Sequence, residues 1–599
     1  MSRQLQTDVL IVGAGPSGMT SALCLARAGI QSIIVERAAG LATHPKAHEL
    51  NARSIEILMG LGVSKEELEA EASPQADASR ILFCNTVQEE FGRIDLLADE
   101  GVASKYRRHL RLERPYLNLS QTELEKTLLR HVERAEETSL LFGHEWEAFE
   151  TQQGPAISRV RHLSEDAEIQ ISSRYVIAAD GASSTVRGNL CVDMEGPNRI
   201  QDFISAYFEM DLRNHVPTGA KLYWILHPEA SGTLIAHHPG RRWVYHVPIF
   251  PPHEQPEAYT PEVFQRRLQI ALQTDQRIPI TSIGFWRMTA QVAERFAVGR
   301  VFLVGDAAHR FPPTGGLGMN TGIADAHNLC WKLATVLHGH ADEALLDTYE
   351  AERRPIAKLN CAESMHNFEK IFEVVEAFGL PREGLTMMAK IKDSIPVSWL
   401  PRTWKEVLFR LLGVPVLWAL KRFERRPDVR RRVLQSIADQ LPHFDRIGLD
   451  IGYAYECGAL VRDGASRQHP TDPVTEYVPS TRPGARFPHV WLDPPDKTRS
   501  THDVLSNECF TLLHGARGRA WAQAATELSA MLRTTLAVRS IASLTTSSAL
   551  QEELEALCEV RSGGALLIRP DGHVAWRETM EVPQPKQSLL QALRECHLQ

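Results

Sequence analysis

Asp8-Val9-Leu10-Ile11-Val12-Gly13-Ala14-Gly15-Pro16-Ser17-Gly18 decides the fold. Asp8–Val12 is an apolar run rich in β-branched residues that stops at Gly13. Pro16–Ala28 then carries apolar residues at helical spacing and ends at Gly29, and Ser32–Glu36 is a second apolar run. Strand, helix and strand in close succession predict a βαβ unit and hence a parallel sheet. The glycines fit G-x-G-x-x-G between strand and helix. Gly13 permits the tight turn, Gly15 lets the backbone approach a pyrophosphate, and Gly18 lets helix and strand pack closely. The helix start offers free N–H groups and a partial positive charge to an anion. Glu36, 18 residues after Gly18, ends the second strand, where a carboxylate accepts hydrogen bonds from ribose hydroxyls. Arg37 beside it joins the candidate cofactor contacts. A dinucleotide is indicated; FAD and NAD(P) both fit.

The rest of the composition bounds the class. At ~100–200 residues per domain, 599 residues suggest roughly three to five domains. Hydrophobic residues at 43% and charged residues at 23% exclude disordered, collagen-like and disulfide-framework chains. A formal net charge of -8 argues against nucleic acid as a partner. Nowhere does the chain reach the ~18 consecutive apolar residues of a membrane span; Val407–Leu420 comes nearest and is interrupted by Arg410 and Pro415. Residues 1–8 enter the first strand without the apolar core of a signal peptide. The nine cysteines form no C-x-x-C pair, so neither a metal site nor a dithiol centre is expected, and a reducing cytoplasm is.

Further along, residues 118–134 predict an amphipathic helix, and Arg174–Ala179 a buried strand ending at Asp180-Gly181. Phe203–Leu212, Lys221–His227, Thr233–His237 and Arg242–Phe250 read as strands joined by Pro/Gly turns, an antiparallel meander forming its own layer. Arg300–Val304 returns to a parallel-type strand before Gly305-Asp306. Residues 320–460 read as mainly helical, 464–488 as a linker, and 489 onward as a small α/β domain.

Two later stretches carry a resemblance. One is Tyr175-Val-Ile-Ala-Ala-Asp180-Gly181-Ala-Ser-Ser184-Thr-Val-Arg187. The other is Gly299-Arg-Val-Phe-Leu-Val-Gly305-Asp306-Ala-Ala-His309, continuing Arg310-Phe-Pro312-Pro313-Thr314-Gly315-Gly316-Leu-Gly318-Met319-Asn320-Thr-Gly322. With the first motif they resemble the single-component FAD-dependent aromatic hydroxylases, in order and spacing, from residue 8 to Tyr349–Pro355. Pro483–Leu492 and Gly563–Trp576 resemble the phenol-hydroxylase-like branch, in which a thioredoxin-like domain closes the chain. The resemblance implies an α/β fold: a Rossmann-like FAD-binding domain (1–190 and 290–365), an antiparallel β-sheet substrate domain (191–289), a helical segment (366–470) and a C-terminal thioredoxin-like α/β domain (480–599). It also implies a homodimer. Cys509 and Cys558 lack a neighbouring cysteine, so the last domain is expected to serve structure or oligomerisation.

The implied chemistry uses tightly bound FAD, NADH or NADPH as transient co-substrate, and O2. Oxygen passes through a flavin C4a-hydroperoxide to a phenolic or related aromatic ring. No second G-x-G-x-x-G unit is present for the nicotinamide. Asp306, at a strand end, needs hydrogen-bond partners, and the resemblance supplies the flavin ribityl chain. Gly315–Gly318 precede a helix expected to begin near Asn320, whose free N–H groups would face reduced flavin, with Gly316, Gly318, Met319 and Asn320 as the candidate contacts. Asp180 and Gly181 are implied to contact FAD and take part in NAD(P)H use, unless Asp180 caps the next segment. Lys46 and Gln121 fall where the family contacts FAD phosphate and ribityl groups; Lys46 lacks the fork of the family's usual arginine. Arg53 is either a pyrophosphate contact or part of a solvated helix face.

A phenol, with pKa about 10, needs a hydrogen-bond acceptor or base to become electron-rich. His48, which falls where the phenol-hydroxylase-like branch places an active-site polar residue, is the first candidate that the resemblance implies, against a surface-loop histidine. Tyr223, His237, Tyr245 and His246 are candidates for the pocket wall, against simple packing. Pro313 would shape the site through its carbonyl and rigid backbone. His309 lacks partners at metal-ligand spacing. The basic stretch Lys421–Arg432 reads as a solvated helix or a peripheral membrane contact. Two other functions stay open: a flavin reductase of an isoprenoid-like substrate, and a non-catalytic flavin-bound sensor or interaction protein.

Overall fold

The computed structural model describes residues 3–598 except 152–153, 239, 252–253, 382–417, 466–469, 495, 533–534 and 562. Most of the apolar stretch 407–420 lies outside the described residues. The expected unit is present as β1 (Arg3–Val12), α1 (Pro16–Arg27) and β2 (Ser32–Glu36). Val9, Leu10 and Ile11 are completely buried, as a parallel strand covered on both faces requires. There follow β3 (Glu49–Asn51), α2 (Ala52–Gly60), β4 (Arg80–Thr86), β5 (Glu89–Asp95), β6 (Tyr116–Asn118), α3 (Gln121–Val132), β7 (Thr138–Phe142), β8 (Ala167–Ala178) and α4 (Thr185–Asn189).

The middle of the chain gives β9 (Gln201–Glu209), β10 (Leu222–Ile225), β11 (Gly232–His238), β12 (Arg242–Ile249), α5 (Pro261–Leu272) and β13 (Ile280–Met288). Then come β14 (Val301–Leu303) and the helices α6 (Leu317–Leu337), α7 (Ala344–Ala377) and α8 (Pro427–Ala438). Parallel pairing in the order β14-β8-β1-β2-β7 makes the dinucleotide-binding sheet.

The second sheet differs from the expected meander. Its order is β13-β9-β12-β11-β10-β4-β5. Only β10-β11-β12 follow as a meander, β9 lies beside β12, and β4 and β5 come from the segment expected to belong to the first domain. β4 pairs with β10 in parallel, Ile81 opposite Leu222. The sequence from Ile81 to Cys84 explains this placement. Leu82 and Cys84 pack on the α5 side of the sheet, whereas Ile81 and Phe83 pack on the other side with Phe423, Val429 and Val433. A strand apolar on both faces needs a sheet covered on both faces. The basic helix α8 accordingly buries Val429, Val433 and Ile437 and leaves its arginines outward.

The last part comprises β15 (Phe510–His514), α9 (Arg519–Leu532), β16 (Leu536–Ser540), α10 (Ser548–Leu557), β17 (Gly563–Ile568), β18 (Val574–Met580) and α11 (Pro585–Glu595). The order β16-β15-β17-β18, with β15 and β16 parallel and the other pairs antiparallel, is thioredoxin-like. The stretch read as a linker is anchored near its end: Arg486 is buried and donates to Glu56 on α2 at 2.8 Å. The turn after β17 is anchored more firmly. Glu352 of α7, 1% exposed, accepts 2.8 Å hydrogen bonds from both terminal nitrogens of Arg569, and one of 2.9 Å from Lys332 of α6.

Candidate active site

The dinucleotide cleft starts at α1. A Cβ on Gly18 would lie 2.0 Å from the carbonyl oxygen of Gly13, so this glycine is required by the protein's own packing. Gly15 is different. Its φ is -74°, which any residue adopts, and a Cβ there would meet nothing within 4 Å. Gly318, in the first turn of α6, also has open space where its Cβ would be. Two glycines without a packing reason stand at two helix N-termini, where N–H groups gather partial positive charge. Open backbone at two helix N-termini suits a ligand with anionic groups, and these residues fit FAD, whose pyrophosphate would sit at α1 and whose reduced flavin would face α6.

Glu36 closes the glycine loop, accepting from the backbone N–H of Ala14 and of Ala38, both at 2.9 Å. Arg37 and Lys46 are exposed nearby on the chain. Gln121, at the start of α3, accepts from Ala47 N–H at 3.2 Å and donates to Glu125 at 2.7 Å. Burial raises the Glu125 carboxyl above its ordinary range. Glu36, Lys46, Gln121 and Glu125 thus sit along one edge of the cleft.

Four of the candidates take definite places. Asp306 is exposed at its turn rather than buried at a strand end, because Gly305 at φ +59° turns the chain outward there. Asp180 caps α4: it accepts from Ser184 Oγ at 2.6 Å and Val186 N–H at 3.1 Å. Arg53 is neither a pyrophosphate contact nor solvated; it is 7% exposed and donates to the Asp571 carbonyl at 2.6 Å. Asn320 is occupied by protein, accepting from Asn51 N–H at 2.9 Å and donating to the carbonyls of Glu49 and Gly316 at 2.9 and 2.7 Å. Its contribution to the cleft is to tie β3 to the first turn of α6, where Gly316 and Met319 also lie. Pro313 is exposed, and its carbonyl accepts from Gly316 N–H at 3.0 Å, closing the turn before the helix. Asp325, which the sequence did not mark, stakes that region: it accepts from Gly305 N–H at 3.2 Å, His309 at 2.7 Å and Arg353 at 2.8 Å.

The second sheet presents a histidine-lined face beside this cleft. Alternation along the strands puts His237 of β11 and His246 of β12 on that face, and sends Tyr223 and Tyr245 to the opposite one. Both tyrosines are completely buried in the core under α5, their hydroxyls bonded to the carbonyls of Thr218 and Ala230, so neither lines the pocket. His44 and His48 reach the same face from the loop before β3. The rings of His48 and His237 lie 5.1 Å apart.

His48 has a defined tautomer. Asn118 Nδ2 donates to the carbonyl of Ala236 at 2.7 Å and to Ser73 Oγ at 2.8 Å, so its Oδ1 is the atom facing His48 Nδ1, at 2.7 Å. Nδ1 must therefore carry the proton, leaving Nε2 as a bare acceptor. Burial, then the nearby Lys221 charge, lowers the His48 pKa and keeps the ring neutral. His48 is half-buried, and Nε2 makes no hydrogen bond to the described residues. Next to it, Glu49 is buried between Lys221, 2.5 Å away, and Arg446. Burial alone would raise this carboxyl, but the two cations bring it to about 2, while burial pushes Lys221 down to about 8. The cluster fixes β3, and with it the loop that carries His48.

Comparison with known proteins gives the family. Residues 6–364 match the family described as FAD binding domain, and residues 480–597 the aromatic-ring hydroxylase C-terminal domain. The 2,4-dichlorophenol 6-monooxygenase of Cupriavidus pinatubonensis is 32% identical over 99% of this chain and 97% of its own. The aklavinone 12-hydroxylase of Streptomyces purpurascens is 30% identical, over 98% of each chain. Among solved structures, the flavin-dependent monooxygenase PieE with FAD and substrate superposes with a TM-score of 0.85 at 30% identity, over 100% of both chains. The likeness thus runs along the whole length, and the chain belongs to the FAD-dependent aromatic-ring hydroxylases.

Proposed function

We propose that this enzyme hydroxylates a phenolic ring held in the histidine-lined pocket, with His48 Nε2 accepting the phenol's hydrogen bond. The observation that carries the reading is the fixed tautomer of His48: a neutral ring whose bare nitrogen makes no bond to the described residues. Once reduced by NADH or NADPH, bound FAD supplies the activated oxygen. The protein's part is to orient the ring and make it electron-rich. A phenol donating to Nε2 gains electron density at its ortho and para carbons. As the proton moves to Nε2, the imidazolium stays bonded to Asn118 Oδ1 through Nδ1–H. Gly15 and Gly318 leave room for the cofactor, and Asn320 and Asp325 hold the turns around it. The relatives, which are phenol and polyketide hydroxylases, favour this over an isoprenoid reductase or a non-catalytic sensor.

The proposal includes a cytoplasmic setting, supported by nine free cysteines, and a homodimer, an expectation of the family. No helix among the described residues is long and apolar enough to cross a membrane.

The test is anaerobic stopped-flow reduction of the holoenzyme by NADH and NADPH with a panel of phenols, followed by aerobic turnover. A phenol that speeds reduction and yields a product one oxygen heavier is the expected result. His48→Leu lowers kcat/KM on that phenol by about 10²-fold or more with FAD content unchanged. Wild-type turnover in the variant removes His48 from the role; no effect of any aromatic overturns the reading.

A further inference from the structure

Two ring nitrogens with opposite hydrogen-bonding character stand on the pocket face, each set by a partner behind it. His48 Nε2 is an acceptor, as Asn118 dictates. The second is His246. Trp286 Nε1 lies 3.3 Å from His246 Nδ1, with the rings edge to face at 80°. An indole N–H can only donate, so Nδ1 holds a lone pair and the neutral imidazole carries its proton on Nε2. Burial first, then the neighbouring His48 and His44, pushes the His246 pKa down to about 3, so the ring stays neutral. Nε2–H is a donor without a partner among the described residues, on a half-buried side chain.

The surroundings hold this arrangement in place. Trp286 of β13 lies directly across from Phe203 of β9 in the strand register. Their rings stack at 4.5 Å and 7°. Both are half-buried, a stacked aromatic pair that forms a wall beside the donor. Ser205 lies across from both His246 and Gly284. Gly284 adds no side chain to that wall, and a Cβ there would come within 3.5 Å of His44 and Ser205.

We propose that His246 is a specificity-determining donor: it hydrogen-bonds a carbonyl oxygen on the substrate, so the preferred substrates are phenols that also carry a ketone or quinone carbonyl. This rests on the reading that the pocket binds a phenol at His48. The aromatic wall takes the ring face, His48 Nε2 takes the hydroxyl proton, and His246 Nε2–H meets an atom that can only accept. A simple alkylphenol satisfies His48 but leaves His246 Nε2–H unpaired as water is displaced, which costs affinity.

The experiment measures anaerobic binding to the holoenzyme by the change in flavin absorbance. Its probes are positional isomers of hydroxytetralone and the matching tetrahydronaphthols, in which a methylene replaces the carbonyl. At least one hydroxytetralone is expected to bind about tenfold more tightly than its methylene partner. The preference falls to about one in His246→Leu. In Trp286→Phe, which keeps the aromatic wall and frees the tautomer, it falls as well; this variant also covers the case in which His246→Leu does not fold. Equal affinities within every pair in the wild type, or a preference unchanged in both variants, overturn the proposal. Hydroxylation of both series alike sinks the carbonyl preference alone. Failure of every phenol to bind or react sinks the phenol-hydroxylase reading and this inference with it.

Discussion

Asn118 carries no charge, yet it decides which nitrogen of His48 is bare, because its own amide is committed to Ala236 and Ser73. The glycines of the first motif divide at the same scale. Gly18→Ala forces a Cβ into the Gly13 carbonyl and is expected to cost more than about 2 kcal/mol of stability. Gly15→Ala meets no protein atom at an allowed φ, so the apoprotein should be as stable as wild type, or more so by about 0.5 kcal/mol. It should nevertheless bind FAD more weakly, because its methyl enters the cradle. Thermal melts of the two apoproteins and FAD titrations separate these effects; wild-type FAD affinity in Gly15→Ala refutes the cradle. All these glycines look alike in the sequence. Which of them serves packing and which serves a ligand depends on what lies opposite in space.

At the scale of elements, the site hangs on junctions between segments distant in sequence. α6 begins at an αL residue, Gly316, with no side-chain cap of its own. Asn320, one turn further on, replaces that cap by joining Gly316 to β3. Asn320→Ala strands the Asn51 N–H and the Glu49 carbonyl in a buried place, for a loss of about 1–3 kcal/mol. The apoprotein melting temperature should fall, and the FAD dissociation constant should rise because the first turn of α6 is no longer held. A variant with normal FAD binding would detach this junction from the cradle. The sequence marked Asn320 as a cofactor contact, since its position in the motif was visible. Its three protein partners were not, because they come from β3 and the turn before the helix. The pocket histidines were legible by strand alternation once a face was chosen, but alternation alone left Tyr223 and Tyr245 equally eligible. Packing against α5 made the choice.

The whole molecule has a pH dependence of definite sign. Burial holds His246, His327, His443, His502 and His573 at about 3, and His109 and His489 at about 4, against an ordinary 6.5. Above 6.5 these rings are neutral in both folded and unfolded chains. As the pH falls below 6.5 the unfolded chain takes up protons that the folded one refuses, so stability is lost progressively. Glu56 and Glu352, brought to about 2 by their arginine partners against the cost of burial, add to the loss below 4.5. Asp450, raised by burial to about 6, works the other way and is outnumbered. Thermal melts of the holoenzyme at constant ionic strength should be level above about pH 7 and fall steadily down to about pH 4; a flat profile contradicts the burial of these rings. Several of them sit where the thioredoxin-like domain meets α2, α6 and α7, so this junction should be among the first to weaken in acid.

By itself the sequence determined the βαβ opening, the dinucleotide motif, the order of the later Gly-Asp motifs and a small α/β ending, which a family resemblance named thioredoxin-like. These are local patterns: a glycine turn between a strand and a helix, or a strand ending in Gly-Asp, reads the same wherever it occurs. Only the tertiary structure decided that β4 and β5 complete the second sheet and that Arg53 and Arg486 serve the C-terminal domain. It also decided that Asn118 and Trp286 set the protons of His48 and His246. Hydrogen-bond polarity between residues far apart in the chain, and burial of charge between separate segments, have no one-dimensional signature; they exist only once the partners meet.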